Sequence, residues 1–186
     1  MKKRISLGLF CFLLLGLILL TSQPRAQLAD IRSSTARPDG TAFVTRVAGS
    51  WLTAGSFSVD LGCDGTIDVG PIPFNDAQTF GVNGSHLVTN PANPNTSHGT
   101  WMKTGPFQIS GRDINFGVTE PTPGGALASI AIITFVFDFD RHFENATSNF
   151  GAKVYLPTQD PFDPAEQPIA CSIGQHTSMR KVTALE

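Results

Sequence analysis

The stretch LASIAIITFVFDF, residues 127–139, decides the fold of this chain. It is rich in β-branched residues and phenylalanine, which favour strands. Its thirteen residues are too few for a membrane-spanning helix, which needs about 20. Alternation divides it into two apolar faces, one with Ile130, Ile132, Thr134 and Val136 and the other with Ile133, Phe135, Phe137 and Phe139. We therefore predict a β-strand that is buried on both faces.

Short apolar runs separated by turn signals continue on both sides of this stretch, a pattern typical of sandwiches and barrels. No segment shows convincing helical periodicity with caps. The further predicted strands lie within 51–61, 66–69, 86–89, 98–104, 106–118, 143–156 and 169–182. Consecutive strands follow one another through short turns, and closure of such a meander removes its unpaired edges. The fold class predicted is all-β, an up-and-down antiparallel β-barrel of about eight strands.

The segment from Asn75 to Asn95 is harder to interpret. Pro71 and Pro73 should end the strand before it, and Gly81, Gly84, Pro91 and Pro94 interrupt it. We expect a long loop with one short strand, and long ordered loops often serve as lids. A plain connection is the alternative.

Composition excludes several classes of protein. Charged residues make up 15% of the chain, against about 25% on average. The chain has 18 Gly and 13 Pro, and its aromatic residues are 14 Phe, 2 Trp and 1 Tyr. These figures argue against a disordered chain, a coiled coil or a helical bundle. No basic patch follows the N-terminus, so nucleic acid is not an expected partner.

The N-terminus, residues 1–26, has the plan of a secretory signal peptide. Basic Lys2, Lys3 and Arg4 precede the apolar run Ile5–Leu20, and a polar segment ends at Ala26. We expect export to the periplasm or the exterior, with no membrane span after signal removal; an uncleaved anchor is the alternative. The predicted mature chain is a flexible lead-in at 27–42 and one barrel domain at 43–186. Loss of the four basic residues within 1–26 would change the net charge from −2 to −6.

Two cysteines, Cys63 and Cys171, would remain after removal of the signal, because Cys11 lies inside it. In an exported domain of this size they suggest one disulfide between an early and a late strand. Two buried free thiols are the alternative. No second Cys or His lies at ligand spacing from either cysteine, so we predict neither a metal site nor a cofactor.

Two short motifs resemble known barrel families. Gly49-Ser50-Trp51 resembles the Gly-x-Trp signature of the lipocalins, and Gly99-Thr100-Trp101 resembles the Gly-Thr-Trp of avidin-like barrels. Together they resemble small exported bacterial proteins of the calycin or lipocalin-like type, mostly without assigned function. The resemblance implies that Trp51 closes one end of the barrel and that a basic residue of the last strand, Arg180, packs over it.

The candidate site residues are mainly aromatic. A barrel of eight strands can fill with side chains or hold one small ligand. The residues that could line a cavity, with His98 as a polar member, are Trp51, Phe57, Phe74, Phe80, His98, Trp101, Phe107, Phe116, Phe135 and Phe137. A plain packed core is the alternative for this set, and a structural histidine for His98.

Asp138, Asp140 and His142 would share one strand face, a set suited to a hard metal or to acid–base chemistry. A polar strand end that runs into a turn is the alternative.

Three functional hypotheses follow, and the sequence favours the first. The barrel binds a small apolar molecule in its mouth, among Phe and Trp side chains. Alternatively it is an isomerase or cyclase similar to allene oxide cyclase-like barrels, with His98 or Asp138 as the polar group. The third hypothesis is a solid-cored structural or envelope-associated protein without a ligand. The sequence indicates no particular oligomeric state.

Overall fold

The computed structural model describes residues 41–90, 93–118 and 126–182. The elements in chain order are α1 (Thr41–Val47), β1 (Gly49–Leu61), β2 (Val69–Phe80), β3 (Ser85–Asn90), β4 (Asn93–Gly105), β5 (Gln108–Val118), β6 (Leu127–Phe139), β7 (Asn145–Tyr155) and β8 (Ala170–Lys181). Each strand pairs antiparallel with the next, and β8 pairs with β1 to close the barrel. The predicted all-β up-and-down barrel of eight strands is confirmed. The predicted signal peptide, and the lead-in as far as residue 40, lie outside the described residues.

Strand β6 buries its inner face and leaves its outer face partly exposed. Phe135, Phe137 and Phe139 point inward and are buried, whereas the outward-facing Val136 is 36% exposed. The outward-facing Ile130, Ile132 and Thr134 are half-buried. The prediction that both faces are buried was wrong, because a closed barrel covers only its inner face.

One end of the barrel is closed by α1. Phe43, Val44 and Val47 join the hydrophobic core that contains Trp51 and Phe139. Trp51 Nε1 donates a hydrogen bond to Val47 O at 3.0 Å, which fixes the helix over the barrel end. The sequence did not predict this short helix, because the seven residues of α1 are too few to show a helical period.

The basic residue of β8 that packs over Trp51 is Lys181, not the predicted Arg180. In the β1–β8 register Trp51 faces Lys181, whereas Arg180 faces Leu52 and is exposed. Lys181 Nζ lies 5.6 Å from the Trp51 ring centroid and donates to Arg46 O. The expectation for Arg180 was wrong by one residue, which in a strand means the opposite face.

The predicted loop and lid over Asn75–Asn95 is wrong. Residues 75–80 continue β2, residues 85–90 form β3, and a tight turn over 81–84 joins the two strands. Gly84 has φ of +83° in this turn. Neither Pro71 nor Pro73 ends β2, because the register between β2 and β3 begins only at Ala77. Each proline therefore lies where a missing N–H breaks no bond to β3.

A disulfide ties the two strands that close the barrel. Cys63 follows β1 and Cys171 lies in β8, with a Cα–Cα distance of 5.1 Å and a sequence separation of 108. The predicted pairing is confirmed. The bond lies at the end of the barrel opposite α1.

Candidate functional site

A pocket opens at the end of the barrel opposite α1. Its cavity measures about 90 Å³ and communicates with solvent. The apolar residues that line it are Phe57, Phe74, Val88, Ile133, Phe135, Phe137 and Phe150; the polar ones are Asp76, Gln78, His86, Asn90, Asn95, Ser97, Asp113, Asn115 and His176. The closed half of the barrel is packed solid, whereas the open half has room for a guest.

One wall of the pocket is aromatic. Phe57, Phe74 and Phe150 come from β1, β2 and β7, and their rings meet at centroid distances of 5.9 Å for Phe57–Phe74 and 5.7 Å for Phe74–Phe150. The ring of Phe150 lies where a side chain at position 174 would be, since a Cβ on Gly174 would come 2.2 Å from Phe150 Cζ. A glycine at position 174 is therefore required for this wall.

The opposite wall is polar and comes from β3, β4 and β5. Asn115 Nδ2 donates to Ser97 Oγ at 3.0 Å and to Asn95 O at 3.2 Å. Asn115 and Ser97 are both buried. The pocket therefore has an apolar side and a hydrogen-bonding side.

Beneath both walls, a chain of hydrogen bonds crosses the barrel. His86 Nδ1 lies 2.9 Å from each carboxylate oxygen of Asp113, and His86 Nε2 lies 3.1 Å from Gln78 Oε1. Gln78 Nε2 lies 2.9 Å from His176 Nε2, and His176 Nδ1 bonds to Ser148 Oγ. All five side chains are buried. We call these five residues, together with Asp76, the polar floor.

Asp76 lies beside His176 at the end of the polar floor. Its Oδ1 accepts a hydrogen bond from Thr53 Oγ1 and another from Gln78 Nε2 at 3.2 Å. Its Oδ2 lies 3.3 Å from His176 Nε2. Phe74 and Phe150 pack on the His176 ring, with both centroids 5.1 Å away.

Gln78 lies at the centre of the polar floor. Its side-chain Nε2 contacts Asp76 Oδ1 and His176 Nε2, and its Oε1 contacts His86 Nε2. One buried amide therefore joins both histidines to Asp76.

Gly99 of the Gly-Thr-Trp motif makes room for the polar floor. A Cβ at position 99 would lie 2.0 Å from Asp113 Oδ1. Trp101 of the same motif donates from Nε1 to Gly81 O at 3.1 Å and anchors the turn before β3. The motif therefore positions Asp113 and, through that turn, the strand that carries His86.

The structure divides the predicted site residues into three groups. Phe57, Phe74, Phe135 and Phe137 line the pocket. Trp51, Phe80 and Trp101 belong to the packed core, where the Phe80 ring stacks on His86 at 4.5 Å. The remaining four, His98, Phe107, Phe116 and Asp138, have exposed side chains.

The expectation that the last group reaches the cavity was wrong. Ser97, Gly99 and Trp101 face inward, so alternation sends His98 outward. Phe107 and Phe116 are 42% and 45% exposed. Asp138 accepts a hydrogen bond from Gln108 Nε2 at 2.8 Å on the outer surface, and Asp140 caps the β6–β7 turn by accepting from the backbone N–H groups of His142 and Glu144.

Sequence reasoning missed the polar floor entirely. Asp76 and Gln78 lay in the predicted loop, and His86 and His176 showed no spacing typical of a site. One sequence signal could have revealed the strand that carries Asp76 and Gln78. These two residues alternate in step with Phe74 and Phe80, which is a strand pattern with polar residues at inward positions.

Within the described ranges, no group of three or more His, Cys, Asp or Glu side chains is placed to hold a metal ion, and no helix has the length and hydrophobicity needed to cross a membrane. Comparisons with known proteins add no family: no family model matches the chain, and neither does any curated protein or solved structure.

Proposed function

We propose that this barrel binds a small amphipathic molecule in the pocket at its open end. The observation that carries the proposal is a cavity with Phe57, Phe74 and Phe150 on one side and buried hydrogen-bonding groups beneath. The apolar part of the ligand would pack on the rings, and its polar part would bond to the polar floor. The wholly apolar guest expected from the Phe content fits this lining less well, because it would leave polar groups without compensation.

The size of the cavity limits the ligand. A cavity of about 150 Å³ encloses benzene, and this one measures about 90 Å³. Only a few non-hydrogen atoms fit inside, and the rest of the ligand would lie in the mouth of the barrel. The polar end is the part that we expect inside, because the floor lies at the bottom.

The cost of burying the polar floor supports a binding role. Moving charged and polar side chains out of water destabilises a protein unless they are fully paired. Burial of apolar side chains at the same positions would cost less free energy. Such groups at the base of a pocket are typical of binding and catalytic sites. A solid-cored structural protein would have no use for them.

The setting that we propose is an exported protein of the calycin-like type. The Cys63–Cys171 pair fits an oxidising compartment. The closed eight-stranded barrel, which begins at Gly49-Ser50-Trp51, supports the resemblance to that type.

A matched pair of variants on β3 tests the binding site. Val88 lines the pocket, and its neighbour Leu87 faces outward. We expect V88W to fill the pocket and abolish binding of short amphipathic probes such as hexanol, measured by calorimetry, whereas L87W retains it. Equal binding by both variants, or no binding by the wild type at millimolar hexanol, would refute the proposal.

A second candidate, proton-transfer isomerisation, is favoured by Asp76. A carboxylate oxygen beside an aromatic wall is placed to act as a general base. The role that the sequence suggested for His98 or Asp138 would fall to Asp76. Exchange of the α-protons of 2-hexanone in D₂O, followed by NMR, should then be faster with the wild type than with D76N. Equal rates would exclude this candidate.

A further inference from the structure

We infer that the polar end of the ligand is an uncharged hydrogen-bond donor, such as a hydroxyl, which donates to Asn115 Oδ1 on the polar side of the pocket. This inference rests on the proposed function and names the chemical class of the ligand. It starts from a buried amide that uses its nitrogen within the protein and leaves its oxygen open to the pocket.

Two contacts fix the orientation of the Asn115 amide. Its Nδ2 lies 3.2 Å from Asn95 O and 3.0 Å from Ser97 Oγ. A backbone carbonyl oxygen only accepts hydrogen bonds, so the NH₂ end of the amide must face Asn95 O. Both hydrogens of Nδ2 are then used, and only Oδ1 remains for a further bond.

Asn115 Oδ1 is open to the pocket. Within residues 41–90, 93–118 and 126–182, both side-chain hydrogen bonds of Asn115 run through Nδ2, so Oδ1 has no partner there. In the same residues the only fully enclosed side-chain N or O atom without a partner is Ser172 Oγ, so Asn115 Oδ1 is not sealed inside the protein. Asn115 lines the pocket and is only 4% exposed. Its oxygen is therefore a sheltered acceptor that a ligand can reach.

The position of Asn115 suits the polar end of a bound amphipathic molecule. Asn115 is the next inward residue of β5 after Asp113, so it lies about 7 Å nearer the mouth of the barrel. A polar group seated over the polar floor can therefore donate to Asn115 Oδ1. The apolar part of the same ligand would pack on Phe57, Phe74 and Phe150 across the pocket.

The lining favours a donor without charge. Asp113 contacts His86 at 2.9 Å. Asp76 contacts His176 at 3.3 Å, so both carboxyl groups already have a histidine partner. A cation would lose its hydration without finding an unpaired carboxylate. A carboxylate ligand has no hydrogen for Asn115 Oδ1, and no Lys or Arg is among the described residues that line the pocket.

Two isomers test the donor directly. The probes 1-hexanol and 1-methoxypentane have the same atoms, but only the alcohol has an O–H to donate. We expect the wild-type protein to bind 1-hexanol about five-fold or more tightly than the ether in calorimetry at neutral pH. Equal affinities, or tighter binding of the ether, would overturn the assignment of a donor and leave the proposed function standing. No binding by either isomer would refute the proposed function itself.

Two charged probes test the absence of charge. Hexylamine and hexanoate keep the six-carbon chain and carry a positive and a negative head at neutral pH. We expect each to bind the wild type about five-fold or more weakly than 1-hexanol, because a buried charge without a partner is costly. Binding of either probe as tightly as 1-hexanol, or more tightly, would overturn the assignment of an uncharged head.

A matched pair of leucine variants locates the bond. N115L removes the acceptor at similar side-chain size, and we expect it to bring the affinities for the alcohol and the ether to within about two-fold of each other. N149L makes the same exchange on the exposed outer face of β7, and should keep the wild-type preference. An unchanged preference in an N115L protein with native circular dichroism would overturn the proposal. If N115L does not fold, the two isomers on the wild type decide alone.

Discussion

His86 Nδ1 lies 2.9 Å from both carboxylate oxygens of Asp113, and the two side chains, each 1% exposed, are hydrogen-bonded inside the barrel. The pair joins β3 to β5 across β4, which carries Gly99 between them. Removal of one member leaves the other as a buried polar group without this partner.

We predict that D113A loses about 1–3 kcal/mol of unfolding free energy, because His86 then lacks its buried hydrogen-bond partner. Urea unfolding followed by circular dichroism measures the loss. E144A, at an exposed turn position, should change stability by less than about 0.5 kcal/mol. Similar small effects for both variants would show that the His86–Asp113 contact does not stabilise the fold.

Most strands could be predicted from the sequence, whereas most of β2 could not. The run that became β6 was predicted as a strand from its alternation and its Phe and β-branched residues, but the partial exposure of its outer face was not predicted, because the sequence does not show that the sheet closes into a barrel. In β2 the inward positions include Asp76 and Gln78, and these polar residues among glycines and prolines resemble a loop.

The site could be predicted only in its aromatic half. Most of the predicted aromatic residues are buried, and four of the predicted phenylalanine rings line the pocket, although Phe107 and Phe116 are exposed. The polar floor depends on long-range pairing: Gln78 and His176 are 98 residues apart, and His86 and Asp113 are 27 apart. Only the register of the closed barrel brings such residues together.

The disulfide should stabilise the barrel chiefly by restricting the unfolded chain. Cys63 and Cys171 are 108 residues apart, and closing a loop of that length contributes about 4–5 kcal/mol in the chain-entropy model. We expect reduction of the wild type to lower its melting temperature to that of the C63S/C171S variant, which should not respond to reductant. Equal stability of oxidised and reduced wild type would contradict this role.

Lys181 should make stability depend on pH in the alkaline range. Burial lowers the pKa of Lys181 below its ordinary 10.5, so the unfolded chain binds more protons between the lowered pKa and 10.5. Stability due to this group therefore rises with pH across that interval. The unfolding free energy of the wild type relative to K181M should increase from neutral pH towards pH 10.5, as measured by urea unfolding. A decrease in this free-energy difference over the same interval would mean that the pKa of Lys181 is raised in the folded protein.

The central claim is that the open end of the barrel binds a small amphipathic molecule over the polar floor. The most direct test is a titration of the nitrogen-15-labelled protein with hexanol, with chemical shifts followed residue by residue. We predict that the largest, saturable changes fall on Phe57, Phe74, Asp76, Phe150 and His176. Changes confined to the outer surface around Phe107 and Phe116, or no saturable change at all, would contradict the account.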